Sequence, residues 1–282
     1  MIWPSLYPVF VAALLMVLAF SLVWAVQRRT GNAGEVDAVW AWSLGGAAVV
    51  YAALGSGDAQ ARVLVAMLGG CWGLRLGLHL WRRNHGRPED GRYARFRAEW
   101  GARADFNLFW FFQFQVVMAL LLSAGFWVIA HNPRAPEGSQ IALAVLIWTL
   151  SVAGEALADR QLERHRRQPE NHGRVCRRGL WRYSRHPNYF FETTHWLAYV
   201  PLAIGAPWAW LVLLPPVVMA WLLLRMSGVP LTEAQAAASR PGYADYIATT
   251  SAFIPWPPRR QRPADPAAAP RHQPGDRYDE HD

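Results

Sequence analysis

The sequence contains no lysine: all 28 of its basic residues are arginine. Arginine's planar fork suits phosphate, but a GC-rich genome produces the same bias, so the absence carries little functional weight. Cysteine is almost absent too. Cys71 lies inside an apolar run and Cys176 in a basic loop, with no C-x-x-C and no His/Cys spacing of the zinc kind. A disulfide framework and a thiolate metal site are thereby excluded. No G-x-G-x-x-G and no P-loop occurs, so a bound dinucleotide would have to be held by arginines, helix starts and carboxylates. Internal repeats of the transporter kind are also missing. The N-terminus lacks a basic n-region and a small-residue cleavage site before Gln27, so the first helix is expected to be retained.

What is abundant is apolar surface. Hydrophobic residues make up 53% of the chain, 16 residues are Trp, and mean hydropathy is +0.04 despite the arginines. That is the composition of a bilayer protein with polar loops. A net charge of +8 and a pI near 10.1 would suggest nucleic acid in a soluble protein. Here the arginines sit in short loops between apolar runs, which fits anionic membrane lipids and no nucleic acid.

The fold class expected is all-α, a polytopic membrane helix bundle of about seven transmembrane helices. The runs at roughly 3–26, 38–55, 62–81, 107–130, 141–158, 189–205 and 207–225 are long enough, or nearly so, for a core that needs ~20 residues per helix. Only Ala206-Pro207 separates the last two, which alternatively form a tight hairpin. Loops after the first, third, fifth and seventh runs hold 24 of the 28 arginines. They must share one side, and the positive-inside rule makes it cytoplasmic. An N-out, C-in chain in a bacterial inner membrane follows. Residues 1–258 read as one transmembrane domain, and 259–282, rich in Pro, Ala and charge, as a disordered tail.

The chemistry concentrates in Gly179-Leu180-Trp181-Arg182-Tyr183-Ser184-Arg185-His186-Pro187-Asn188-Tyr189-Phe190-Phe191-Glu192. Pro187 allows a helix to begin there but not to run through it. Free N–H groups at that start, with Arg185 and His186 just before it, suit phosphate or carboxylate. Glu192 shares a face with Asn188, and a carboxylate entering an apolar segment is costly without a partner. His195 and Trp196 extend that face, and a lone His195 reads first as a packing residue. Arg75 and His79 lie four apart on the third run; Glu155 and Asp159 lie four apart on the fifth. Both pairs must face the bundle interior, either as simple charge neutralisation or as a membrane-embedded site.

These elements in order, Glu89-Asp90-x-Arg92-Tyr93, Glu155-x3-Asp159-x-Gln161, GLWRYSRHPNYFFE, and Tyr243-x2-Tyr246 before Phe253-Ile254-Pro255, resemble the bacterial DUF1295 membrane proteins of the steroid 5-alpha-reductase C-terminal superfamily. The resemblance covers roughly residues 30–258. It implies a seven-helix reductase that takes a hydride from NADPH, entering from the cytoplasm, and gives it to a conjugated double bond of a hydrophobic enone, a lipid or other small molecule. It implies cofactor contacts at Asn188, Glu192, Trp196, Asp159, Glu155 and Arg75, with Arg87 of Gly86-Arg87-Pro88 on a phosphate. Tyr183, Arg185, His186 and Tyr189 of the central motif complete the cofactor set.

The pattern departs from animal steroid reductases at two points. Their third-helix Tyr is Trp72 here, and their second-helix Gln-Glu pair has no match around Glu35 and Asp37. His79, on the face of Arg75, is the replacement proton donor expected, with a hydrogen-bonded buried histidine as the alternative. RHPNY followed by Glu192 also resembles isoprenylcysteine and phospholipid methyltransferases, which use S-adenosylmethionine. Those typically carry a paired Glu-Glu after the last span, where only Glu233 stands. A non-catalytic lipid-binding scaffold is the third class. The sequence leaves the oligomeric state open.

Overall fold

A computed structural model describes residues 5–259. Among the described residues, six helical stretches are long and apolar enough to cross a membrane. The first three are single helices: α1 (Tyr7–Thr30), α2 (Val36–Leu54) and α3 (Ala59–Asn84). After α4 (Gly91–Trp100), the fourth crossing is built from α5 (Ala104–Leu122) and α6 (Ala124–Ala130). They meet at buried Ser123, whose hydroxyl donates to the Leu120 carbonyl and stands 2.9 Å from the Tyr51 hydroxyl. α7 (Gly138–Arg167) is the longest helix and outruns its expected end at 158, because the arginine-rich turns beyond the bilayer keep good helix formers.

The expected sixth span, 189–205, is not one continuous helix. α8 (Pro187–His195) gives way to 3-10 turns at Trp196–Tyr199 and Pro201–Ala203. Pro201 has no N–H to continue an α ladder. The segment nevertheless crosses the bundle. Nine α-helical residues at 1.5 Å and seven 3-10 residues at 2.0 Å, with Val200 between the two turns, span about 30 Å, the thickness of the hydrocarbon core. Its far end is fixed by the Asn132 side-chain amide, which donates to the Leu202 carbonyl at 3.2 Å. The chain returns through α9 (Leu214–Trp221), a π-helical turn at Leu222–Met226, and α10 (Val229–Ser239), and ends with α11 (Tyr243–Thr249).

The two ends of the bundle are defined by contacts. At one, the α2–α3 turn meets the end of α6 through Gly57 N–H to Ala130 O and Asp58 N–H to Asn132 O. Trp127 there donates to the Ser5 carbonyl, placing the start of α1 at the same end. At the other, arginine-rich end, Asn84 donates to Gly34 O at 2.6 Å and the Ala33 N–H to Glu89 at 2.9 Å. The C-terminal segment closes this end: the Trp256 N–H donates to Tyr183 O, and the Tyr246 hydroxyl to the Trp181 carbonyl. The described termini therefore lie at opposite ends, as an odd number of passes requires.

α2 and α3 pack closest of all. A Cβ on Gly73 would stand 2.6 Å from the Gly45 Cα, so glycine at both positions lets the backbones touch. α3 turns its opposite face, with Arg75, to α7. The expected tail at 259–282 lies outside the described residues except for Arg259, whose N–H donates to Thr249 O.

Candidate functional site

Two faces meet on α7. The helical repeat puts Glu155 and Asp159 on one side of it, one turn apart, and α3 brings Arg75 and His79 against them at the same spacing. Arg75 Nη2 lies 2.5 Å from Glu155 Oε1, and His79 Nε2 lies 3.5 Å from Asp159 Oδ2. α8 supplies the third wall. Its Asn188 amide donates to Asp159 Oδ1 at 3.2 Å. Glu192, one turn on, is buried between Arg75 and the indole of Trp72. Gly154 permits this close approach, because a Cβ there would stand 2.5 Å from the Phe191 ring.

The polar atoms of this cluster satisfy one another only in part. Arg75 Nε, Glu155 Oε2 and Asn188 Oδ1 are buried without a hydrogen-bond partner, and the buried Glu192 carboxyl is approached by Trp72 and Glu155 without a well-formed bond to either. Such atoms are rare inside proteins and each is costly to leave alone. Three carboxyl groups also face a single guanidinium. Behind them, His195 stacks on Trp72 at 4.6 Å and accepts or donates a 3.0 Å bond with the Tyr199 hydroxyl. Trp196 is buried in the apolar core, stacked on Phe126 at 5.4 Å.

The remaining expected residues sit elsewhere. Arg185 is a clamp rather than a cluster member: its Nε donates to Glu233 at 2.7 Å, and its Nη1 to the carbonyls of Ile247 and Thr250. His186 Nε2 shares Glu233 at 3.1 Å, and its ring stacks on Tyr189 at 5.1 Å. Burial holds this imidazole below its usual range, outweighing the raising effect of Glu233. Tyr183 is exposed, with the Arg182 guanidinium over its ring. Arg87 is exposed and makes no side-chain ion pair among the described residues.

A second feature escaped the sequence reading. A cavity of about 310 Å³ opens at the arginine-rich end, lined by His165, Arg166, His172, Arg174, Cys176 and Arg240 among others, and by no acidic residue. Burial raises the Cys176 thiol despite nearby arginines, so it stays protonated. The cavity continues the α7 face of the buried cluster: 155, 159, 162 and 166 follow the helical repeat. From Glu155 to Arg166 is about 16 Å along the axis. The density of arginine after residue 160 was visible in sequence; Arg240, which closes the cavity from 74 positions downstream of Arg166, was not.

The sequence motif Glu89-Asp90-x-Arg92-Tyr93 proves to be a strut beside the site. Arg92 Nη2 and the Tyr93 hydroxyl both bond Asp37, at 2.6 and 2.8 Å, while Glu89 pairs with Arg97. It fixes the α3–α4 connection onto the start of α2.

The fold and these helices define a multi-pass helical membrane protein. The chain belongs to the family described as "Protein of unknown function (DUF1295)", which matches residues 23–250. It is also 28% identical, over 88% of its length and 80% of the other's, to "Uncharacterized protein C594.04c" of Schizosaccharomyces pombe (strain 972 / ATCC 24843). No solved structure matches.

Proposed function

We propose that this protein is a membrane oxidoreductase that binds NADPH from the cytoplasmic side of a bacterial inner membrane and reduces a conjugated C=C bond of a hydrophobic enone. One observation carries the reading: a buried cluster of acids, amide and guanidinium that satisfy one another only in part lies on the same helix face as a cavity, about 16 Å away, whose charged lining residues are all basic. A ligand with a polar ring at one end and phosphates at the other fits that arrangement. Asn188, Glu192 and Glu155 offer both acceptors and a donor for the carboxamide end. Arg166, Arg174 and Arg240 would hold phosphates as charge-assisted pairs, with the exposed Arg87 as a further candidate.

The cofactor supplies the hydride. The chain's own residues do the rest. Trp72, His195 and Trp196 wall the cluster off from water, and Asn188 holds Asp159 in place. His79, whose Nε2 faces Asp159 at 3.5 Å, would deliver from its other ring nitrogen the proton that the substrate's α-carbon needs when a hydride reaches the β-carbon, so that one hydride and one proton together saturate the C=C bond.

An S-adenosylmethionine methyltransferase is the second reading, favoured by the acid-rich cluster, which also suits a sulfonium. Two observations weigh against it. That cofactor carries no phosphate to occupy the basic cavity, and the carboxylate of Glu233 is taken by Arg185 and His186.

The test is a titration of NADPH and S-adenosylmethionine in parallel on detergent-purified protein, with Glu192→Ala and Arg174→Ala beside wild type. Saturable NADPH binding is expected, lost in Glu192→Ala and weakened about tenfold in Arg174→Ala, the effect of losing roughly one charge-assisted hydrogen bond. Binding of S-adenosylmethionine alone, or of neither by folded protein, would overturn it.

A further inference from the structure

We propose that the groove between α1 and α2 holds one acyl chain of a phosphatidylethanolamine-type lipid, with the headgroup phosphate on Arg29 and the ammonium on Glu35. The groove encloses about 470 Å³, within the range of built small-molecule sites. Its walls are apolar: Leu15, Met16, Ala19 and Leu22 from α1, with Val39 and Gly46 among those from α2. Leu15 and Leu22 are 51% and 67% exposed within a membrane-crossing helix, so the groove meets lipid rather than water. Hydrocarbon is the only solvent at that depth.

The headgroup assignment comes from the mouth of the groove, at the arginine-rich end. On α1 the lining positions 19, 22 and 26 repeat at helical spacing, and the next is Arg29. Arg29 is exposed and makes no ion pair with a described side chain, unlike Arg28, which pairs with Asp105. On α2 the lining begins at Glu35 itself. One Glu35 oxygen is 2.8 Å from His85 Nδ1, and Oε2 has no ion-pair or hydrogen-bond partner among the described residues. One cation and one anion thus crown the two walls, the charge order of a zwitterionic headgroup whose ammonium can donate hydrogen bonds. An anionic lipid would meet Glu35 with the wrong sign.

This site is independent of the dinucleotide reading. α3 packs Gly73 on Gly45 of α2 and turns Arg75 away, so it separates the groove from the buried cluster.

Native mass spectrometry of the whole chain, exchanged into detergent with phosphatidylethanolamine or phosphatidylglycerol of equal chain length, tests it. A one-to-one adduct several-fold more abundant with phosphatidylethanolamine is expected. Gly46→Leu should cut it about tenfold; a Cβ at Gly46 meets nothing within 4 Å, so the new side chain fills the groove without straining the fold. Glu35→Gln should bring the two lipids to parity. Equal binding of both lipids by wild type, or full retention by Gly46→Leu, would sink the proposal.

Discussion

His186 shows how much one side chain's surroundings decide. From the sequence it stood with Arg185 as an anion site before a helix start; in the fold both turn to Glu233, and the positive charge is already answered. The readable part was the helix start at Pro187, which backbone chemistry alone dictates. The unreadable part was the partner, 47 residues away on α10. A pH dependence follows. The folded imidazole titrates below its unfolded value, so the unfolded chain takes up more protons as pH falls through ~6.5, and stability is lost in that direction. Thermal melts between neutral and acid pH should show the loss, and His186→Gln should flatten it; an equal slope in the variant would assign the acid sensitivity to another group.

Among the elements, α3, α7 and α8 carry the buried cluster because each presents polar residues four apart. That periodicity made Arg75, His79, Glu155, Asp159, Asn188 and Glu192 legible from sequence as three faces seeking partners. Which face met which was left open, and the answer, Arg75 to Glu155 and His79 to Asp159, depends on the axial offset of α3 against α7. That offset is set on the other side of α3, where glycines seat it on α2. Gly73→Ala would drive a methyl group into the Gly45 backbone, and overpacking of this kind costs about 3 kcal/mol. The expected outcome is a lower melting temperature together with weaker NADPH binding, although residue 73 belongs to neither. A variant that melts earlier but binds as before would show that the offset is held elsewhere. The sixth crossing was the element least visible in sequence. Its apolar run was the right length, but the switch from α to 3-10 geometry at Trp196 has no strong local signature short of Pro201.

At the scale of the whole molecule, arginine counting predicted opposite ends for the two termini, and the contacts of Ser5 with Trp127 and of Trp256 with Tyr183 place the ends of the described residues on opposite sides. Absolute orientation is a prediction: the arginine-rich end faces the cytoplasm. In cells expressing Cys71→Ser chains, a membrane-impermeant maleimide should label Glu137→Cys directly and Arg178→Cys only after permeabilisation. The reverse pattern would put the basic cavity outside, away from any soluble phosphorylated cofactor. The cavity itself was beyond sequence reading because it forms where the end of α7, the following loop and Arg240 converge.

The Arg185 junction also bears on how the chain is made. Its acceptors, Glu233, Ile247 and Thr250, are synthesised 48 to 65 residues after it. A ribosome delivers them only after the sixth and seventh crossings have entered the bilayer. Until then a guanidinium beside the start of α8 has water or lipid phosphate as its only company. The helix that carries Asn188 and Glu192 is therefore locked in place only after α10 and α11 have been made.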